Sequence, residues 1–162
     1  MRRIGVLVGV ALVIRLTGCA MDSDLPSDPE ERILFFKNQA QEAETAAAHL
    51  IPTSARGEVK QIRDGTLLAC SGGRQWSGNT RITLTDPSTG PAVLRKLSSD
   101  AAEHGFTVAH NTTADGAPRT RFVDEHGTTL LATVWVDGKS IDVDSFSKCF
   151  PVPPDFVPHG SY

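Results

Sequence analysis

The hydrophobic repeat changes period partway along this chain, and that change restricts the fold more than any motif does. Apolar side chains recur at Ile33, Phe36, Ala40, Ala43, Ala47 and Leu50, in steps of three and four that form one stripe along an α-helix. Leu34 and Phe35 widen the stripe at its start, and the alanines of its second half predict close approach to a partner surface. Ser27-Asp28-Pro29-Glu30 precedes it and reads as a capping box, with Ser27 as the cap and Pro29 in the first turn. Ile51-Pro52 ends the helix, because the residue before a proline is pushed out of the α region.

From there the repeat shortens towards two. Residues 66–70 are a short apolar run, 71–73 a turn, and 75–85 end in alternation, with Ile82 and Leu84 opposite Arg81, Thr83 and Thr85. That pattern predicts a hairpin with one wet face. A breaker at 86–91 leads into a second helix over 91–104, with Leu94, Leu97 and Ala101 as its stripe and Gly105 as its stop. Four strands follow at 106–111, 119–123, 128–136 and 139–147. Their turns hold Asp115-Gly116, Glu125-His126-Gly127 and Asp137-Gly138, the last being the strongest hairpin signal in the chain. A proline-rich tail over 150–162 is expected to lie extended along the domain. The order helix, two strands, helix, four strands predicts one α+β domain over residues 30–162. Its natural form is an antiparallel sheet of about five to six strands with two helices packed on one face.

The first residues read as an address. Met1-Arg2-Arg3 is basic, and residues 4–14 are wholly apolar or Gly. Eleven such residues are too few to span a bilayer, which needs roughly 20 in a helix, and they fit the short apolar region of a secretory signal. The signal ends in Leu16-Thr17-Gly18-Cys19, which resembles the lipobox of bacterial lipoproteins; Arg15, at the end of the apolar region, departs from the family pattern. The resemblance implies a signal peptide over 1–18, a diacylglycerol on Cys19, and localisation at the cell membrane on its extracytoplasmic face. Two acyl chains anchor stably where one is marginal. Residues 19–29 then form a solvated tether, rich in Asp and Pro.

Export bears on the other cysteines. With Cys19 lipidated, Cys70 and Cys149 remain, an even pair in an oxidising compartment, which predicts a disulfide; two buried free thiols are the alternative. Two lone cysteines without paired ligands do not make a metal site. Removing residues 1–18 takes away three Arg and moves the formal charge from −3 to −6, which argues against a nucleic-acid partner. The segments LLACSGGRQWSG (67–78) and IDVDSFSKCFPVPPDFVP (141–158) resemble small actinobacterial cell-envelope lipoproteins. That resemblance supports the disulfide and the compartment and supplies no catalytic residue.

Catalytic motifs fare poorly. Ser145-Phe146-Ser147-Lys148 spells S-x-x-K, but it lies at a strand end and lacks the companion motifs of the serine enzymes that use it. Gly138-Lys139-Ser140 sits in a hairpin turn without the first glycine of a phosphate loop. Asp142 and Asp144 share one strand face and read as a solvated pair, although such a pair can bind Ca²⁺ or do acid/base work. The five histidines form no metal spacing. Of the two tryptophans, Trp135 reads as core, whereas Trp76, after a Gly-rich turn, reads either as hairpin packing or as a rim aromatic for a ligand. No catalytic residue, metal or cofactor is expected. The expected function is a membrane-anchored, non-enzymatic binding module of the cell envelope, with an unknown envelope protein or small ligand as partner. The alternative is a small envelope hydrolase whose site is assembled only in space.

Overall fold

The first helix, α1 (Pro29–Leu50), buries the stripe read from the sequence, namely Ile33, Phe36, Ala40, Ala43 and Ala47, and adds Glu44 and Ala48 to it. Its cap is Asp28 rather than Ser27. The Asp28 carboxylate accepts from the amides of Glu30 and Glu31, each at 2.9 Å, a charged acceptor directly ahead of Pro29 displacing the neutral hydroxyl by one residue. This computed structural model describes residues 25–159 and 161–162; Cys19 and the expected signal peptide lie outside them.

The second helix, α2 (Gly90–Glu103), buries Val93, Leu94, Leu97, Ser98 and Ala101. Seven strands complete the domain: β1 (Arg56–Gln61), β2 (Thr66–Cys70), β3 (Gly73–Leu84), β4 (Thr107–Thr112), β5 (Pro118–Val123), β6 (Thr129–Val134) and β7 (Ser140–Phe146). They form one antiparallel sheet in the order β1-β3-β7-β6-β5-β4, with β2 also paired to β3. β1 is absent from the sequence reading. All but its first residue are exposed, so it carries no alternation to detect. β1 and β2 share one edge of β3, β1 along Thr80–Leu84 and β2 along Gly73–Ser77, which is why β3 runs to 12 residues.

Alternation assigns the two faces. Ile82, Ile141, Val143, Ala132, Leu130 and Phe122 point inward and pack with Ala43, Ala47 and Ala48 of α1 and with Leu94, Leu97 and Ala101 of α2. Both helices therefore lie on one face of the sheet, as expected. The small alanines let α1 lie close to β3. A second apolar cluster joins Ile33 and Phe36 to Phe150 of the tail, with the Phe36 and Phe150 rings stacked at 4.5 Å.

The two tryptophans settle differently: Trp76 takes the packed one of its two readings, and Trp135 departs from its expected place in the core. Trp76 is fully buried, and its Nε1 donates to the Tyr162 main-chain oxygen at 2.8 Å. It therefore offers no rim to a ligand, which corrects that reading. A Cβ on Gly78 would overlap the indole, and one on Gly65 would lie against it, so both glycines are needed to admit the ring. Trp135 is 46 % exposed rather than core. It follows β6 beside the Asp137-Gly138 turn and lies 4.6 Å from the Arg81 guanidinium carbon, a cation–π contact that occupies an aromatic at a wet hairpin end.

Cys70 and Cys149 form the expected disulfide, 79 residues apart. Cys70 ends β2 on one side of β3, and on the other side Phe150 bridges to Arg74 at the start of β3. The bond thus straps across the beginning of β3. Chain entropy assigns a loop of this length about 4 kcal/mol. The Cys70→Ser/Cys149→Ser double variant should lose about 2–5 kcal/mol of unfolding free energy in urea. A loss below 1 kcal/mol would show that the tail is held by packing alone. In fluorescence, Trp135→Phe should leave a blue-shifted emission shielded from acrylamide, and Trp76→Phe a red-shifted, quenchable one.

Candidate functional site

Two polar clusters occupy the helix-covered face, one closed and one open. The closed cluster centres on Glu44, whose carboxylate is fully buried on α1. It accepts from Thr80 Oγ1 at 2.6 Å, from Gln61 Nε2 at 2.7 Å and from Ser145 Oγ. Those donors come from β3, β1 and β7. No cation reaches this carboxylate among the described residues, so hydroxyls and an amide alone offset its desolvation. The S-x-x-K serine is therefore a core hydrogen-bond donor, held by a carboxylate and closed to substrate.

The open cluster lies between the first half of α2 and the inner face of the β4–β6 end of the sheet. Pro91, Leu94, Pro118 and Val134 wall a cleft of about 340 Å³, with Arg95, Ser98, His110 and Thr120 as its polar lining. Ser98 and Thr120 are buried, whereas Arg95 and His110 are exposed. Register explains the grouping. Thr120 pairs with His110 on β4 and with Ala132 on β6, so His110 and Thr120 project to the same face, and Ser98 meets them from the helix.

Ser98 Oγ lies 2.8 Å from the Leu94 carbonyl oxygen and 3.1 Å from Thr120 Oγ1, which lies 3.3 Å from His110 Nδ1. Proton counting orders this line. A carbonyl cannot donate, so Ser98 gives its proton to Leu94. Thr120 then donates to Ser98, and His110 Nδ1–H donates to Thr120. The His110 Nε2 is left facing outward. Ser98 is tied to its own helix and separated from the imidazole by a threonine, an arrangement that binds rather than activates a nucleophile. No carboxylate lines the cleft.

The remaining candidates are occupied elsewhere. Asp142 and Asp144 do share the outer face. Asp142 takes both arms of Arg81, at 2.6 and 2.8 Å, and Asp144 accepts from Asn79 at 2.9 Å. The hydrogen bond and charge of Asp142 hold Arg81 protonated beyond its already high range. Lys139 and Ser140 stand at the β6–β7 turn, as read. His104 caps α2, with Nδ1 2.8 Å from the Asp100 carbonyl. No group of three metal-donor side chains converges among the described residues. The cleft was invisible in sequence because its members come from α2, β4, β5 and β6. The one available signal was polar Ser98 on the buried stripe of α2.

No protein-family model and no curated protein matches the chain. Among solved structures, a DUF4853 family protein from Actinomyces odontolyticus is similar over 77 % of this chain and 76 % of its own, at 14 % identity and a TM-score of 0.41.

Replacing Glu44 by Ala should leave three inward donors without an acceptor and cost about 3 kcal/mol. Glu44→Gln, which retains shape and one acceptor, should cost less than half as much. Urea midpoints on both variants check this ordering, and equal costs would show that shape rather than charge matters.

Proposed function

We propose that this chain is a lipid-tethered binding module of the extracytoplasmic face, without enzymatic activity, whose receptor surface is the α2–β4–β5 cleft. The observation that carries the reading is the cleft itself: apolar walls, two buried hydroxyls and two exposed bases, with the only serine bonded to its own helix. Its size falls in the range of small-ligand sites. The tether half of the reading rests on Leu16-Thr17-Gly18-Cys19 and is supported by the disulfide, a bond favoured in oxidising compartments. Placement agrees with it. Phe150, beside the start of α1, is level with Arg74 of β3, whereas Val134 at the cleft is level with Ile141 and hence with Ile82. Eight residues of β3 separate those levels, about 26 Å at 3.3 Å each, so a tether on α1 leaves the cleft at the far end of the domain.

Intact mass of the detergent-extracted native protein tests the tether. The expected chain begins at Cys19 and carries a diacylglycerol, and Cys19→Ala should move it from the membrane fraction to the soluble one. An unprocessed chain of 162 residues would overturn the anchor. The hydrolase reading draws on one observation, that Ser98 and His110 line the same cleft. A fluorophosphonate probe separates the two readings: no labelling of Ser98 is expected, and stoichiometric labelling would establish the enzyme.

A further inference from the structure

The binding reading leaves the ligand open, and the charge lining the cleft narrows it. Arg95 makes no ion pair and no side-chain hydrogen bond among the described residues, and His110 spends only its Nδ1 on Thr120. Both are exposed. The cleft holds no carboxylate to neutralise them, in a chain whose formal charge is −3. Arg81, Lys96 and Lys37, by contrast, have acids beside them in Asp142, Asp100 and Asp64. Arg119, also at the cleft, turns its Nε to Asn111 on the opposite face of the sheet, at 3.0 Å. Two unneutralised bases beside an apolar wall favour an anion with an apolar body.

Resting on the reading of the cleft as a ligand site, we infer that it takes a small amphipathic carboxylate. The acid group sits on the Arg95 guanidinium and binds together with a proton on His110, whose imidazolium then donates from Nε2 as well as from Nδ1, and a hydrocarbon or ring body lies along Pro91, Leu94, Pro118 and Val134. A guanidinium presents a planar fork that matches a carboxylate. The buried hydroxyls of Ser98 and Thr120 are already bonded to one another and to the helix, so the inner wall of the cleft does not demand a polar ligand body. Because the cleft stands about 26 Å along the sheet from the tether end, by the strand rise, the ligand is one that diffuses in the aqueous space rather than an acyl chain of the host bilayer.

Amide chemical shifts in titrations of the mature chain lacking the lipid test this. Octanoate, octyltrimethylammonium and octyl glucoside are the probes, all below their micelle concentrations. Octanoate should perturb the amides of residues 91–98 and 110–120 and bind at least tenfold more tightly than the cation. Arg95→Gln and His110→Ala should each weaken octanoate about tenfold, a step of about 1.4 kcal/mol, and Arg95→Gln, whose side chain bonds nothing among the described residues, should do so without altering the urea midpoint. If all three probes bind there equally, the cleft stands as a ligand site and the carboxylate assignment falls. If none perturbs those amides, the binding reading falls with it.

Discussion

A carboxylate with no counter-cation among the described residues holds the architecture in register. Glu44 projects from the middle of α1 and takes hydrogen bonds from Gln61, Thr80 and Ser145, so four separate elements meet at two oxygens. Apolar packing alone would let a helix slide along a sheet with little penalty, because one alanine contact resembles the next. A buried charge permits no such slide: any shift strands it away from its donors in a low-dielectric interior. The alanines either side of it supply proximity and Glu44 supplies position, since close approach is what brings a short-reaching hydroxyl such as Thr80 within 2.6 Å.

Such a residue is hard to read in advance. Glu44 interrupts an apolar stripe and looks like the edge of a wet face, because hydropathy sees its charge and not the three donors that arrive from 17, 36 and 101 residues away. The helices, the main hairpins and the α+β plan were legible because each depends on local period and turn chemistry, and their bounds held within a few residues. β1 was not, since a strand exposed on both faces leaves no alternation. The tryptophans were legible only in part. A glycine-rich neighbourhood left Trp76 open to packing or to a ligand rim, and packing holds because Gly65 and Gly78 make room for the buried ring. Alternation alone suggested core for Trp135, which lies beyond the last inward residue of its strand.

The open cleft follows from the same division of the inner face. α1 covers β3 and meets the tail at one end, and α2 covers the rest but starts at Gly90, packed directly on Val134. The β4 edge beyond α2 has no further helix to shield it among the described residues. His110 and Pro118 are left half in solvent beside the buried Ser98–Thr120 pair. Binding surface here is what remains when two helices are set against seven strands.

The pairing of β3 with β7 has a consequence for how the domain is born. Its central ladder joins residues 77–83 to 140–146, so the neighbours that bury Trp76, Ile82 and Glu44 are among the last to leave the ribosome or a translocation pore. For most of synthesis the first half of the molecule is a helix and three strands whose central member, β3, lacks its β7 partner, a condition in which exposed apolar strands invite wrong partners. A chain made from its N-terminus stays open along β3 until residues 140–146 have emerged, and it depends on that late strand to close its sheet.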